Sequence, residues 1–535
     1  MKKIFTIILI GLATAVYAQS PLLWSEDYSV NLTNYYSYFS NSPQIIPENE
    51  NSFKVVGKKN TTNGQRLAIV RYDISGTVLS EQIFGDDLAY NNQIIDYHID
   101  NSNYLYILNS ETININKSKI VFQKYSLDGD LIWVEQIQDS GIHSYEPWSL
   151  SVSENGTLFI TAQKYVFDYD VYYDMSNRLY AYDSDGNQLW ERVFDELTEF
   201  EWVSENNFVY NNEIYLFGKD LINTNQTFYF KLLKIDTDNN INLNTTVFLN
   251  NSFRHFYITQ DNNLLVVAGW YKISKFDLNG TLLWSEYYQE NPSFNPYLEE
   301  IKSSIQDENG NIYVTGRYWK YPNDNPNSTN NDILTLKFDS NGNLLWQNLY
   351  QYGELNADIG NTIALKNGYI YVGGQSQKNG IGTDYDYVVL KIDAETGNSN
   401  GVYRYDGSGE GTDTVTSLYV FDDGKVALTG LSYNGTDFGW TTQLLSDVIL
   451  SVENISSENN IKVYPNPVRK NDMLTITGYD LKTYSVYTSV GQIVQQGGFD
   501  SGTIHNIKLN NLVSGMYILQ LRTDNEVIIK RIIVN

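Results

Sequence analysis

A nine-residue pattern, FDLNGTLLW over Phe276 to Trp284, returns along most of the chain and constrains it more than any other feature. Its copies read YDISGTVLS (Tyr72 to Ser80), YSLDGDLIW (Tyr125 to Trp133), YDSDGNQLW (Tyr182 to Trp190) and FDSNGNLLW (Phe338 to Trp346). Each is an apolar run, a four-residue turn of the Asp-x-x-Gly kind and a second apolar run, the signature of a β-hairpin. The Asp carboxylate caps free N–H groups of the turn, and Gly takes the left-handed conformation that closes it. The aromatic residue four positions after the Gly then serves as a buried anchor of the outer strand, and Trp24, Trp133, Trp190, Trp284 and Trp346 are the anchors expected.

The anchor position also measures the repeat. It falls at Trp24, Ser80, Trp133, Trp190, Leu243, Trp284, Trp346 and near Val402, which gives units of 41 to 62 residues. Units of that length holding several short strands, with no long stretch of 3.6-residue periodicity, predict an all-β chain folded as a β-propeller. One unit displays all four strands: SSIQDENGNIYVTGRYW (Ser303 to Trp319) followed by DILTLKFDSNGNLLWQNLY (Asp332 to Tyr350). PLLWSEDYS (Pro21 to Ser29) resembles a fourth strand with no strands before it, while Ser417 to Ser446 offers three strands and no fourth. The N-terminal strand is therefore expected to complete the last blade and remove two sheet edges. Eight blades follow from this count. Seven is the alternative, because the 41-residue unit is short and KIDTDNNINL around Leu243 is degenerate.

Composition narrows the chemistry. The 535 residues include no Cys and four His, so disulfides, thiolate sites and Cys nucleophiles are excluded, and neither a metal nor a cofactor is expected. Residues 461–535 carry eight Lys/Arg and five Asp/Glu, whereas 19–460 carry 26 and 58. So acidic a body repels phosphate backbones, which argues against nucleic acid as a partner. Lys2, Lys3, the apolar run after them and Val16-Tyr17-Ala18 form a secretory leader with cleavage after Ala18. No later stretch has the length of a membrane-spanning helix, so a soluble monomer is expected after export. The chain divides into a signal peptide (1–18), a propeller (19–446), a linker (447–460) and a small C-terminal β-sandwich (461–535).

The tail carries YPNP (Tyr464, Pro465, Asn466, Pro467), TSVGQIV with Gly491, LVSGMYILQL with Gly515 and Tyr517, and a terminal KRIIV with Lys530 and Arg531. In that order these elements resemble the type A C-terminal sorting domain of the type IX secretion system. The family's Asp before the middle glycine is replaced, since Ser489 and Val490 stand there. The resemblance implies partnership with the secretion machinery, export through the periplasm, and release or attachment at the outer cell surface. The body is similar to secreted bacterial β-propeller repeats, and its hairpins resemble the tryptophan-docking motif of quinoprotein-type, PQQ-like propellers, with IDAETGN (Ile392 to Asn398) the nearest local match. The Cys pair and ligand set of quinoprotein dehydrogenases are missing, so that activity is not implied.

In such a blade the first-to-second and third-to-fourth turns share one face, and here they are short. The connections on the opposite face are long: Lys164 to Asn177, Gln289 to Glu300 and Arg317 to Asp332. A ligand is expected there. Tyr172, Tyr173, Tyr318, Trp319 and Tyr321, with Tyr35, Tyr36 and Tyr38, offer stacking surfaces for sugar rings or peptide side chains, and Asp168, Asp170, Asp324 and Asn325 offer hydrogen bonds. Tyr is also favoured in strands generally, which accounts for many of these residues without a ligand. Asp183-Ser-Asp185 and Asp236-Thr-Asp238 have alternate acidic spacing, but the second lacks the glycine at the sixth position and the glutamate at the twelfth of a calcium loop, and the first has its glycine at the fourth, where the hairpin needs it, so turn chemistry is the better account. Asp86, Asp87, Asp358, Glu410 and Asp413 lie in fourth-to-first connections near the axis, where paired carboxylates serve glycosidases, yet no spacing singles out an acid and a base. The sequence thus predicts an exported binding module for glycan or protein, with a polysaccharide hydrolase or lyase and a structural surface protein as alternatives.

Overall fold

The computed structural model describes residues 22–446 and 462–535 apart from 33–41, 63, 86–91, 115, 169–170, 195–201, 221–228, 248–252, 269–271, 289–299, 320–330, 353–355, 378–383, 410, 467, 471, 478–480, 489–492, 500–501, 511, 514 and 523–526. Every regular element among them is a β-strand, and no helix is long and apolar enough to cross a membrane. The chain divides into two units, Met1–Ser451 and Val452–Asn535.

The first unit holds eight four-stranded antiparallel sheets. Seven are consecutive in the chain, spanning 44–84, 92–137, 144–194, 202–247, 253–287, 300–350 and 358–405. The 41-residue unit builds a full sheet of its own, the fifth. The eighth sheet joins Thr414–Val420, Val426–Tyr433 and Phe438–Leu445 to the N-terminal strand Leu22–Leu32, which pairs with Phe438–Leu445 from Leu22↔Leu445 to Leu32↔Phe438. First strands of neighbouring sheets touch one another and form the inner wall. Between each sheet and the next lies an apolar layer. The last of these layers packs Phe53, Val55 and Tyr72 of the first sheet against Trp440 and Leu444 of the eighth. Eight such layers run from sheet to sheet and return to the start, the arrangement of a β-propeller.

The repeated turn has the predicted chemistry. Asp339 Oδ1 accepts from the N–H of Asn341 at 2.9 Å and of Asn343 at 2.8 Å, while Gly342 closes the turn at φ 89°. Asp183 accepts from Asp185 and Asn187, and Asp236 from Asp238 and Asn240, so both acidic runs weighed as calcium loops spend a carboxylate oxygen on their own turn.

The tryptophans differ from expectation in one respect: each is half-buried and anchors the neighbouring sheet rather than its own hairpin. The indole N–H of Trp24, Trp133, Trp190, Trp284 and Trp346 donates to the carbonyl of Ile74, Ser184, Thr237, Ser340 and Ala394 respectively, at 2.6–3.1 Å. In each case that acceptor follows the turn's Asp in the next sheet. The turn's glycine lies under the ring: a Cβ on Gly76, Gly342 or Gly397 would meet Trp24, Trp284 or Trp346 at 2.7–2.8 Å. Thus glycine is required twice, for its φ and for the indole's approach. Strand register puts Gly401, not Val402, at the anchor position of the seventh sheet, opposite Lys391. That sheet faces the eighth, whose third and fourth strands are not joined by a turn, so there is nothing for an indole to dock on.

The second unit contains a three-stranded sheet (Lys462–Tyr464, Met473–Thr477, Ile504–Lys508) and a four-stranded sheet (Ile493–Gly498, Thr483–Thr488, Gly515–Arg522, Val527–Val534) around one core that includes Leu474, Val486, Leu519 and Ile532. Its first and last sequence signatures meet. Asn466 Oδ1 accepts from the Ile533 N–H at 2.8 Å, and Val468 N–H donates to the Ile533 carbonyl at 2.8 Å. Gly515 opens the strand opposite Val534, Tyr517 donates to the Val513 carbonyl, and Lys530 and Arg531 lie opposite Leu519 and Ile518. Tyr464 and Pro465 are joined by a cis peptide. Pro467 and Gly491 fall outside the described residues, as do the leader and the linker.

Candidate functional site

The stretch Lys164 to Asn177, expected as a loop, is largely paired backbone. Leu158–Asp168 and Val171–Tyr182 continue as a hairpin beyond the sheet edge, with Val166↔Tyr173, Phe167↔Tyr172 and Asp168↔Val171 in register. The reason is local: KYVFDYDVYY is almost entirely aromatic, β-branched or turn-forming, which favours strand pairing over an open loop. Tyr318 is also in a strand, Ile312–Trp319, opposite Asp332, and its ring is buried between the fifth and sixth sheets with Leu265 and Leu334. It is a packing residue there rather than an open platform. Trp319 continues the strand opposite Asn331. Asp170, Tyr321, Asp324, Asn325, Tyr35, Tyr36 and Tyr38 lie outside the described residues.

Beside the extended hairpin, between the second and third sheets, lies a groove of about 250 Å³ on the face opposite the short turns. Ser110, Thr112, Asn114 and Lys117 line one side, and Tyr165 with Phe167 the other. The two aromatic residues are both partly exposed, and their two-residue spacing along a strand puts them on one face. At the floor Ser118 and Ser144 share a hydroxyl hydrogen bond of 2.8 Å, and the Ser118 hydroxyl donates to the Tyr145 carbonyl at 2.9 Å. The site is a set of short hydroxyl and amide groups facing an aromatic wall, and the Tyr165-x-Phe167 spacing was the sequence signal for it that composition-based reasoning passed over.

Next to the groove, Asp139 organises the fourth-to-first connection. Its Oδ2 lies 2.8 Å from His143 Nδ1, 3.1 Å from Lys164 Nζ and 3.2 Å from the Tyr145 hydroxyl that donates to it. Its backbone carbonyl and that of Gly141 receive Lys117 Nζ at 3.0 and 2.7 Å. Burial works to raise the Asp139 carboxyl, but the Lys164 ammonium and the Gly141 and His143 hydrogen bonds outweigh it, and the group stays below the usual carboxylate range. Burial raises the Tyr145 phenol, so it remains a donor at neutral pH. Lys117, held by this loop, is the cation at the rim of the groove.

The carboxylates expected near the axis are structural where they are described. Asp358 is fully buried and accepts from the Tyr352 N–H at 2.8 Å and from the Ser376 hydroxyl. Asp413, equally buried, accepts from the N–H of Gly407 at 2.7 Å and of Tyr433 at 3.1 Å. Each therefore ties the backbone six residues upstream to the start of an inner strand. Burial drives Asp358 up to about 6 against the pull of Ser376, Tyr352 and Arg404, and drives Asp413 up to about 7 against Ser432, Gly407 and Tyr433. Asp384, Asp386 and Asp406 set carboxylate oxygens within 4.8 Å of one another, and Arg404 bonds Asp386 at 2.8 Å while its guanidinium stacks 3.6 Å above the Tyr352 ring. Asp86, Asp87 and Glu410 lie outside the described residues.

Residues 462–535 match the family model of the secretion system C-terminal sorting domain. A sorting domain of this kind implies export and delivery to the cell surface or the medium through the type IX machinery. No curated protein matches the chain. Among solved structures it is similar to BamB from Moraxella catarrhalis, at 13% identity and a TM-score of 0.41 over 79% of this chain and 99% of that one. It is also similar to the polysaccharide lyase Uly1, at 10% identity and 0.38 over 80% and 99%, and to a Bacteroides caccae protein of unknown function, at 10% and 0.29 over 58% and 94%. Likeness at this level says nothing of activity.

Proposed function

We propose that this exported β-propeller is a glycan-binding module, brought to the cell surface or medium by its sorting tail, with its ligand in the groove between the second and third sheets. The observation that carries the reading is the pairing of Tyr165 and Phe167 with a facing row of Ser, Thr and Asn side chains. The apolar face of a pyranose stacks on aromatic rings while its hydroxyls exchange hydrogen bonds with short polar groups. One rim cation and one rim anion, Lys117 and Glu146, leave the groove without a strong charge preference, which favours a neutral sugar.

Cleavage of polysaccharide is a second reading, favoured by the His143–Asp139–Tyr145 cluster beside the groove, whose phenol and imidazole are proton-transfer groups. A glycan and polysaccharide screen of the full chain, scored for binding and for released reducing ends, separates the two. Binding without product, weakened at least about tenfold by Tyr165→Ala with Phe167→Ala, is the result expected; a tenfold loss equals about 1.4 kcal/mol. Product formation that falls with His143→Ala would replace the binding reading with the enzymatic one. No signal in either channel would defeat both.

A further inference from the structure

We infer that the turn Ser126–Asp130 of the second sheet is a vacant tryptophan dock, which accepts a tryptophan presented by a partner protein on a segment flanked by basic residues. Five inter-sheet junctions show what this kind of turn binds: an indole whose N–H donates to the carbonyl one residue into the turn and, in the four turns that have a glycine, whose ring covers it. The junction between the first and second sheets has the turn without the indole. Register puts Ser80 opposite Arg71, the place held by Trp133 opposite Lys124 and by Trp346 opposite Lys337.

The turn itself is intact. Gly129 N–H donates to the Ser126 carbonyl at 3.1 Å, Ser126 N–H to the Asp130 carbonyl at 2.9 Å, and Asp130 N–H to the Ser126 hydroxyl at 3.1 Å. Gly129 has φ 106°, in the left-handed region. Yet Gly129 is exposed, whereas Gly186, Gly342 and Gly397, which lie under indoles, are buried. A Cβ added there would meet only the Gln82 amide, at 3.8 Å. Among the described residues no side chain donates to the Leu127 carbonyl, which is the acceptor an indole would use; Arg71, which stands near, turns to Glu48 instead, at 2.5 Å. The fourth sheet, which has also lost its tryptophan, fills the gap with Leu243, packed in the same apolar layer as Leu278 of the next turn. Ser80 makes no such repair.

The same turn borders a second hollow, of about 630 Å³, in which Leu127 is joined by Ile46, Pro47 and Ile99. A peptide whose tryptophan sits on Gly129 therefore finds a trough for its neighbours, in which these apolar residues share the wall with Glu48, Lys54, Ser102 and Asn103. Asp128 and Asp130 stand exposed on the turn, in a body that is strongly acidic, so lysine or arginine beside the tryptophan is favoured.

The probe is a fluorescein-labelled nonapeptide with one tryptophan between lysines, titrated with the full chain and read by fluorescence anisotropy, against the same peptide with alanine for tryptophan. Binding at least tenfold tighter for the tryptophan peptide is expected. Ser80→Trp fills the dock from within, so it should raise the melting temperature and weaken the peptide at least tenfold, while Tyr165→Ala with Phe167→Ala leaves the peptide unaffected. If Ser80→Trp does not fold, Asp128→Lys with Asp130→Lys, both on the exposed turn, should weaken the same peptide. Equal binding of the two peptides, undiminished binding to a folded Ser80→Trp or to the double lysine variant, or no binding up to about 1 mM, would overturn the inference.

Discussion

A tryptophan and a glycine fifty-one to fifty-eight residues apart hold four of the sheet pairs, and the energetics of the ring rest on that contact. Trp346 donates to Ala394 and covers Gly397. Trp346→Ala is expected to destabilise the protein by about 3 kcal/mol, the range for losing a large aromatic contact, as measured by denaturant unfolding. Gly342→Ala meets both a left-handed φ of 89° and the Trp284 ring at 2.8 Å, and should lose at least about 1 kcal/mol in the same experiment. Both residues stood out in the sequence. Their partnership did not, because a periodic pattern reads identically whether an indole rests on its own hairpin or on the next one. Only the register across the inter-sheet layer distinguishes the two. For the same reason Ser80 looked like an ordinary gap in a repeat, when its consequence lies on a turn of another sheet.

At the scale of strands and connections, Asp413 and Asp358 fasten fourth-to-first connections and carry a pH dependence with them. Asp413 ionises near 7 in the folded protein and near 4 when unfolded. The folded state therefore keeps a proton that the unfolded state has released, and the stabilisation from this group, complete below pH 4, is lost as the pH rises to about 7. The melting temperature should fall between pH 5 and 7.5, and Asp413→Asn should flatten that slope; an unchanged slope in the variant would assign the dependence to other groups. The N-terminal strand is the second case. Deleting residues 22–32 uncovers the edge of Phe438–Leu445 and removes Trp24 from its stack on Tyr72 at 5.7 Å. The truncated protein should unfold less cooperatively and associate through the open edge, visible in size-exclusion chromatography. Closure by this strand was legible because a fourth strand without its three predecessors stands at the start of the chain. The extended hairpin over 158–182 was not, since a run of aromatic and acidic residues reads equally as a loop until its two halves are seen in register. Nor was the burial of Asp358 and Asp413, whose partners are backbone N–H groups that no side-chain pattern records.

For the whole molecule, the body and the tail answer different questions. The tail carries the address, and removing residues 462–535 should leave the body inside the cell envelope, as cell fractionation would show. The body carries whatever recognition the protein performs. Its closing sheet also decides how it bears load. Leu22 pairs with Leu445, so the two ends of the propeller leave side by side from one corner of that sheet. A pull applied to both ends would open the paired strands one rung at a time, as a zipper opens, and little force would be needed. A pull applied at the C-terminal end alone has no opposing grip on the first strand, and must instead drag a strand hydrogen-bonded on both sides out of its sheet, breaking many rungs together. The second is the ring's strong direction.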